Sequence, residues 1–157
     1  MNKTGLSKAV FEILVKHLVD IEEEKERLLE RYFPGTTYDR QDFETMVDEY
    51  FKEIEYFISN TKVNDVDKPE CPFIIIGSVV ELEAEEDNEL ETYQIVSPFE
   101  SKVSSDFDCA SYLSPMGRAL LLKKKNDKVD IETPMGKFTY VVKNIKIPPE
   151  MFTAFAG

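Results

Sequence analysis

The stretch from Ser114 to Ile147, SPMGRALLLKKKNDKVDIETPMGKFTYVVKNIKI, decides the fold of this chain. Ser114 can cap a helix, and Pro115 then occupies the first helical position, where its missing N–H costs nothing. Residues 119–122 are good helix formers, and the lysines at 123–125 would place positive charge at the negative end of the helix dipole. The start of the stretch therefore predicts a capped helix.

The rest of the stretch predicts two antiparallel strands. Asn126-Asp127 is typical of a turn, and residues 129–132 alternate between apolar and charged side chains as a half-buried strand does. Pro134-Met135-Gly136 then turns the chain into a second alternating segment that begins at Phe138. The apolar phase flips between 142 and 145, which indicates a bulge or a strand buried on both faces. The sequence predicts a helix packed on a β-hairpin.

These residues also resemble the C-terminal, FKBP-like domain of the Gre transcription elongation factors (GreA/GreB). The resemblance covers roughly residues 72 to 148 and implies a domain that binds RNA polymerase. It rests on several spaced motifs: Gly77-Ser78-x-Val80-x-Leu82, Tyr93-x-Ile95-Val96, Ser114-Pro115-x-Gly117-x-Ala119-Leu120-Leu121, Asp127-x-Val129, Pro134-x-Gly136 and Tyr140-x-Val142.

Composition and charge limit the classes of function that the protein can have. The 157 residues carry a net charge of −12. Residues 1–70 hold 10 basic and 17 acidic side chains, and the remainder holds 9 and 14, so both halves are acidic. Free DNA binding is therefore not expected, because phosphate backbones are bound by clustered lysine and arginine. A basic partner surface is the complementary target.

Other features place the protein inside the cell. No apolar run approaches the roughly 20 residues that span a membrane, and no signal-peptide pattern opens the chain. We expect a soluble, cytoplasmic protein with no membrane partner. Cys71 and Cys109 are too few and too isolated for a disulfide framework or a zinc site, which predicts reduced, structural thiols.

The N-terminal half predicts an antiparallel helical hairpin, a two-helix coiled coil. One helix is expected from residue 5 to 33 and a second from about Asp39 to Ser59, separated by the helix-breaking sequence at 33–37. Lys25 is the single charged interruption of the first apolar seam. The predicted seam residues repeat at steps of three and four: Phe11, Leu14, Leu18, Ile21, Leu28 and Tyr32 in the first helix, and Phe43, Val47, Tyr50, Ile54 and Phe57 in the second.

The C-terminal half predicts an FKBP-like antiparallel sheet with one helix. Residues 61–72 form a polar linker, and strands are expected at 80–84 and 93–96 around a turn at 86–88. Residues 99–113 are expected to connect to the core through three apolar anchors, Val103, Phe107 and Tyr112. The fold class is α+β, with a helical hairpin at 1–68 and a GreA/GreB-like domain at 69–157.

The sequence excludes several kinds of catalytic site. It contains no phosphate-binding loop, dinucleotide fingerprint, Cys/His cluster or nucleophile elbow. His17 is the only histidine, which excludes triads and histidine metal clusters, and beside the seam it is expected to be a packed or surface residue. The acidic run at 22–30 is typical of a solvated helix face.

Asp39 and Asp42 are the candidate catalytic and metal-binding residues. In Gre factors that cleave transcripts, two carboxylates three residues apart at the hairpin tip help hold the second Mg²⁺ of the polymerase and position the attacking water. Asp39 and Asp42 have that spacing, so the resemblance implies a Mg²⁺ shared with RNA polymerase only in the complex. Two departures from the family pattern argue against this role of Asp39 and Asp42. Gly35 is followed by Thr36-Thr37-Tyr38 instead of an aspartate, and the hairpin lacks a basic patch. The alternative is that Asp39 caps the second helix, alone or in a Thr36-x-x-Asp39 box.

The resemblance implies an accessory factor and not an enzyme. Its hairpin would enter the secondary channel of RNA polymerase, reach the 3′ end of the nascent RNA and promote cleavage of backtracked transcripts. A Gre-like regulator or inhibitor that occupies the channel without cleavage is the first alternative. An FKBP-like prolyl isomerase or chaperone is the second, although the sequence shows no evident aromatic-lined pocket, and fold alone does not decide function.

Overall fold

The protein is described by a computed structural model that covers residues 6–64, 70–99, 107–149 and 151. It forms two compact units, a helical unit at Met1–Pro69 and a sheet unit at Glu70–Gly157. The α+β prediction, a helical pair followed by a sheet with one helix, is confirmed. No helix in the described ranges is long and apolar enough to cross a membrane.

The helical unit is a hairpin of α1 (Lys8–Tyr32) and α2 (Tyr38–Ser59). Both helices start at a hydroxyl cap: the Ser7 Oγ accepts from the Val10 N–H and the Thr37 Oγ1 from the Arg40 N–H, each at 3.1 Å. Such caps satisfy backbone donors that have no partner within the helix. The first helix starts later than predicted because the residues before it belong to a strand.

That strand is part of a short parallel pair that the sequence did not predict. β1 (Leu6–Ser7) pairs with β2 (Val63–Asn64), and the Leu6 N–H donates to the Lys62 carbonyl at 2.9 Å. The pair joins the chain segments that precede α1 and follow α2, so it ties together the open end of the hairpin. Two-residue strands carry too little alternation to be recognised in a sequence.

The seam between the helices largely follows the predicted spacing. Four predicted seam residues are not buried: Tyr32, with 42% of its surface exposed, and the half-buried Phe11, Ile21 and Phe57. Val10 and Leu29 are fully buried instead, beside the predicted seam, because a straight helix drifts relative to a strict heptad. The buried seam residues are Val10, Ile13, Leu14, Leu18, Leu28, Leu29, Phe43, Val47, Tyr50 and Ile54.

Among the residues that the structure describes, the sheet unit contains five strands in the order β5-β4-β3-β7-β6 and the helix α3. β4 and β5 are parallel, whereas every other pair is antiparallel, so the sheet departs at one edge from the predicted antiparallel arrangement. The elements are β3 (Val79–Ala84), β4 (Leu90–Val96), β5 (Asp108–Ser111), α3 (Pro115–Leu120), β6 (Lys128–Thr133) and β7 (Gly136–Lys146).

β5 lies in the segment for which the sequence predicted only a connection. Tyr112 is buried as predicted, but Phe107 is 39% exposed and does not anchor the core. Val103 lies outside the described residues. Cys71 is buried and Cys109 half-buried, and both are free thiols, as expected.

The helix α3 is shorter than the sequence predicts. It ends at Leu120, and Leu122 adopts a positive φ of 69°. The Leu122 N–H donates to the Ile74 carbonyl at 2.7 Å, and the Ile74 N–H donates to the Lys123 carbonyl at 3.0 Å. These two bonds to a distant segment satisfy backbone groups that another helical turn would otherwise have paired. The lysines at 123–125 therefore lie beyond the C-cap, and the expectation that the helix continues through residue 122 is wrong.

Gly117 lets α3 approach the end of β5. The Ser114 Oγ accepts from the Gly117 N–H at 3.0 Å and donates to the Ser111 carbonyl at 2.7 Å, so the predicted cap is confirmed. A Cβ atom added at Gly117 would overlap the Ser111 carbonyl oxygen. Only glycine permits this contact.

The predicted bulge is also confirmed. Glu81 pairs with Asn144 and the next residue, Leu82, pairs with Val142, which leaves Lys143 as the extra residue of β7. The extra residue returns the apolar side chains to the core, and both Val142 and Ile145 are buried. A bulge shifts the side-chain alternation by one position in this way.

Candidate functional site

The closed end of the hairpin carries the two predicted carboxylates. Gly35, with a φ of +85°, turns the chain between the helices, and nothing lies within 4 Å of the position that a Cβ would take there. Asp39 is the second residue of α2 and is exposed, whereas Asp42 is half-buried one turn later. Both side chains belong to the first two turns of one helix, as the spacing predicted.

Thr37 caps α2, so the expectation that Asp39 does so is wrong. A threonine hydroxyl at the cap position reaches the N–H three residues later, which is the geometry that such caps adopt. Asp39 instead lies in the first turn, where a negative charge is favoured by the partial positive charge of the helix start. Its carboxylate is therefore not needed to begin the helix.

Arg40 is a residue of the tip that sequence reasoning missed. Its Nη1 donates to the Phe33 carbonyl at 2.9 Å, and its Nε lies 3.6 Å from the Glu44 Oε1. Phe33 also stacks on Phe43, with ring centroids 4.9 Å apart. Arg40 thus links the start of α2 to the end of α1. The only sequence signal was an arginine one residue after Asp39.

The tip fits a hard cation only in part. Carboxylates three residues apart on a helix are neighbours, and oxygen ligands suit Mg²⁺. Nowhere in the described ranges do three or more His, Cys, Asp or Glu side chains come together as a metal site. Asp39 and Asp42 could therefore supply two ligands, and the remaining ligands would have to come from a partner.

The hairpin seam contains two polar contacts that the sequence could not specify. The His17 Nε2 lies 2.8 Å from the Tyr50 Oη, and burial lowers the pKa of His17 to about 4, against a smaller opposing effect of Asp20. The Lys25 Nζ donates to the Asp48 Oδ1 at 2.8 Å, and this hydrogen bond raises the pKa of Lys25. Lys25 interrupts the seam because it pairs across it. His17 is a packed residue, as expected.

A family model described as "Transcription elongation factor, GreA/GreB, C-term" matches residues 68–147, just over half of the chain. The chain belongs to the GreA/GreB family. A curated relative, the transcription elongation factor GreA of Desulfovibrio desulfuricans, is 35% identical over 97 residues. The aligned part is 62% of this chain and 59% of that protein, so the chain spans about three fifths of the relative's length.

One solved structure shows that the shared fold includes the hairpin. A GreA/GreB factor from Nitrosomonas europaea superposes with a TM-score of 0.51 at 21% identity, over 92% of this chain and 99% of that one, which shows a shared fold. Gfh1 of Thermus aquaticus superposes with a TM-score of 0.43 at 27% identity, over 92% and 99% of the two chains. The second superposition is too loose to carry an argument about function.

Proposed function

We propose that this GreA/GreB family member is an accessory factor that binds RNA polymerase and inserts its hairpin into the secondary channel. There it promotes cleavage of backtracked transcripts at the polymerase's own active site, so it is not an enzyme by itself. The observation that carries the proposal is the position of Asp39 and Asp42 at the closed end of the hairpin. Family membership of the sheet unit supports polymerase as the partner.

The dimensions of the hairpin suit insertion into a channel. α1 has 25 residues, and at about 1.5 Å per residue it is about 37 Å long. The exposed Asp39 is at one extremity of this rod. The acidic rod would favour a cation-rich channel over free nucleic acid.

At the tip, Asp39 and Asp42 would each offer a carboxylate oxygen to a Mg²⁺ shared with the polymerase, beside the RNA 3′ end. Such an ion, when bound, activates water and offsets negative charge on the reacting phosphate. The contact of Arg40 with the Phe33 carbonyl would keep the start of α2, and hence both carboxylates, in a fixed position relative to α1.

A second candidate is a regulator that occupies the same channel without promoting cleavage. Arg40 favours it, because its guanidinium adds a positive charge to the tip, where the Arg40 Nε lies 3.6 Å from the Glu44 Oε1. The cleavage assay separates the two candidates.

The test combines a pull-down on core RNA polymerase with cleavage of RNA in backtracked complexes. Asp39→Asn and Asp42→Asn should abolish stimulated cleavage and change polymerase affinity by less than about fivefold, because exposed charges contribute only about 0–1 kcal/mol to docking. Glu49→Gln, an exposed change further along α2, is the matched control and should keep full cleavage.

Two outcomes contradict parts of the proposal. Wild-type protein that binds polymerase but shortens no RNA at any Mg²⁺ concentration identifies the non-cleaving regulator. Wild-type protein that does not bind core polymerase overturns the proposed partner.

A further inference from the structure

One face of the sheet carries a cluster of two tyrosines and a glutamate. Glu91 and Tyr93 alternate onto the same face of β4, since they pair with Leu82 and Val80, both of which are buried. Tyr140 of β7 joins them there. Directly opposite side chains in a sheet share a face.

A single carboxylate oxygen of Glu91 accepts hydrogen bonds from both phenol hydroxyls. The Tyr93 Oη donates to the Glu91 Oε1 at 2.6 Å, and the Tyr140 Oη lies 3.4 Å from the same atom. The Glu91 Oε2 accepts no hydrogen bond from the residues that the structure describes. A carboxylate has about four acceptor positions, so half of this group's capacity is unused.

The cluster is electrostatically negative. Burial, and after it Glu91, raises the pKa of both Tyr93 and Tyr140, and Asp108 and Asp87 respectively add to the effect. Asp108 is exposed and is the register partner of Tyr93 on β5. Among the described charged groups, those that act on the two phenols are all carboxylates.

Some other carboxylates of the sheet unit have lysine partners. Glu85 pairs with Lys128 at 2.8 Å and Glu83 with Lys143 at 3.4 Å. In the ranges that the structure describes, no basic side chain pairs with Glu91. A half-buried carboxylate without a cation is energetically unfavourable unless something else compensates it, and two phenols on one oxygen compensate it only in part.

We propose that Glu91, Tyr93 and Tyr140 form a binding site for an arginine side chain presented by a segment of a partner protein. The guanidinium would donate to the Glu91 Oε2 and lie against the Tyr93 ring, and both contacts favour arginine over a neutral side chain. Phosphate-bearing partners are disfavoured by the surrounding carboxylates. This site goes beyond the proposed function, because it gives the sheet unit a ligand chemistry that the proposed binding of polymerase does not specify.

The site can be tested on the full-length protein with blocked tripeptides. An acetylated, amidated Leu-Arg-Leu peptide is titrated into the protein while the protein's backbone amide signals are followed by NMR. The control peptide carries citrulline in place of arginine, which replaces the guanidinium by a neutral isostere. The arginine peptide should shift the amide NMR signals of residues 91–93, 108 and 139–141, and the shifts should saturate at millimolar peptide concentrations. Citrulline should bind at least tenfold more weakly.

Variants assign the effect to the cluster. Glu91→Gln should weaken the arginine probe at least tenfold, whereas Glu81→Gln, on the other face of the neighbouring strand, should not. Tyr93→Leu should also weaken binding, while Tyr93→Phe, which keeps the ring, should retain it within about threefold. Equal binding of arginine and citrulline, or unaltered binding by both Glu91→Gln and Tyr93→Leu, overturns the proposal.

Discussion

The two units of this protein hold their folds together in different ways. The hairpin depends on a seam of side chains, supported by a few polar contacts such as His17 with Tyr50. The sheet unit depends on close backbone fit, as where Gly117 meets the Ser111 carbonyl and Leu122 bonds to Ile74. A seam accepts many apolar residues at each position, whereas a backbone contact accepts one. The two units should therefore respond differently to the same kind of substitution.

Replacing one glycine by alanine in each unit tests this comparison. Gly117→Ala should destabilise the sheet unit by about 3 kcal/mol or more, because the added methyl overlaps backbone that cannot move away. The higher helix propensity of alanine offsets only about 1 kcal/mol of this cost. Hydrogen exchange of amides in the sheet unit measures the change.

Gly35→Ala is the matched change in the hairpin. Its cost should be about 1–2 kcal/mol, from the positive φ alone, because the site is open. If the two substitutions cost the same, close backbone fit is not what distinguishes the sheet unit.

The sequence predicted what local physics controls. The Ser114 cap, the bulge near Val142 and the two long helices were all recovered, because each depends on residues near in sequence. The sequence-based predictions failed where pairing with a distant segment competes with the local preference for helix or turn. The end of α3 is set by the pairing of Leu122 with Ile74, and the parallel β5 is set by its alignment with β4.

The candidate site shows the same division. The helical turn that brings Asp39 and Asp42 together follows from their spacing, but the Arg40 contact with Phe33 depends on how the chain crosses between helices. The cluster around Glu91 joins residues 49 positions apart. No local pattern marks such a pair.

The next largest effect should come from acid acting on the hairpin. Burial lowers the pKa of His17 to about 4 in the folded protein, against about 6.5 in the unfolded chain. The folded state therefore binds fewer protons, so the stability contribution is fully present above pH 6.5 and is lost as the pH falls toward 4. We expect a loss on the order of 2 kcal/mol in the hairpin, measured by denaturant unfolding at successive pH values.

His17→Gln provides the comparison, because the amide can still contact Tyr50 and does not titrate. Carboxylates common to both proteins cancel in the difference between the two curves. Parallel curves for wild type and variant between pH 6.5 and 4.5 would show that His17 is not the titrating group, and the sheet unit should show no difference between the two proteins.

The smallest effect concerns the ion pair that crosses the hairpin seam. The side chains of Lys25 and Asp48 are 22% and 50% exposed, so water screens their attraction and the coupling should be only about 0.5 kcal/mol. A double-mutant cycle with Lys25→Met and Asp48→Asn measures it, and 1 M salt should reduce it further. Lys25→Met alone should be nearly neutral, because a methionine extends the apolar seam and offsets the lost pair. A coupling above about 2 kcal/mol would mean that a specific polar contact, and not the apolar seam, holds the hairpin, and the contrast between the two units would then disappear.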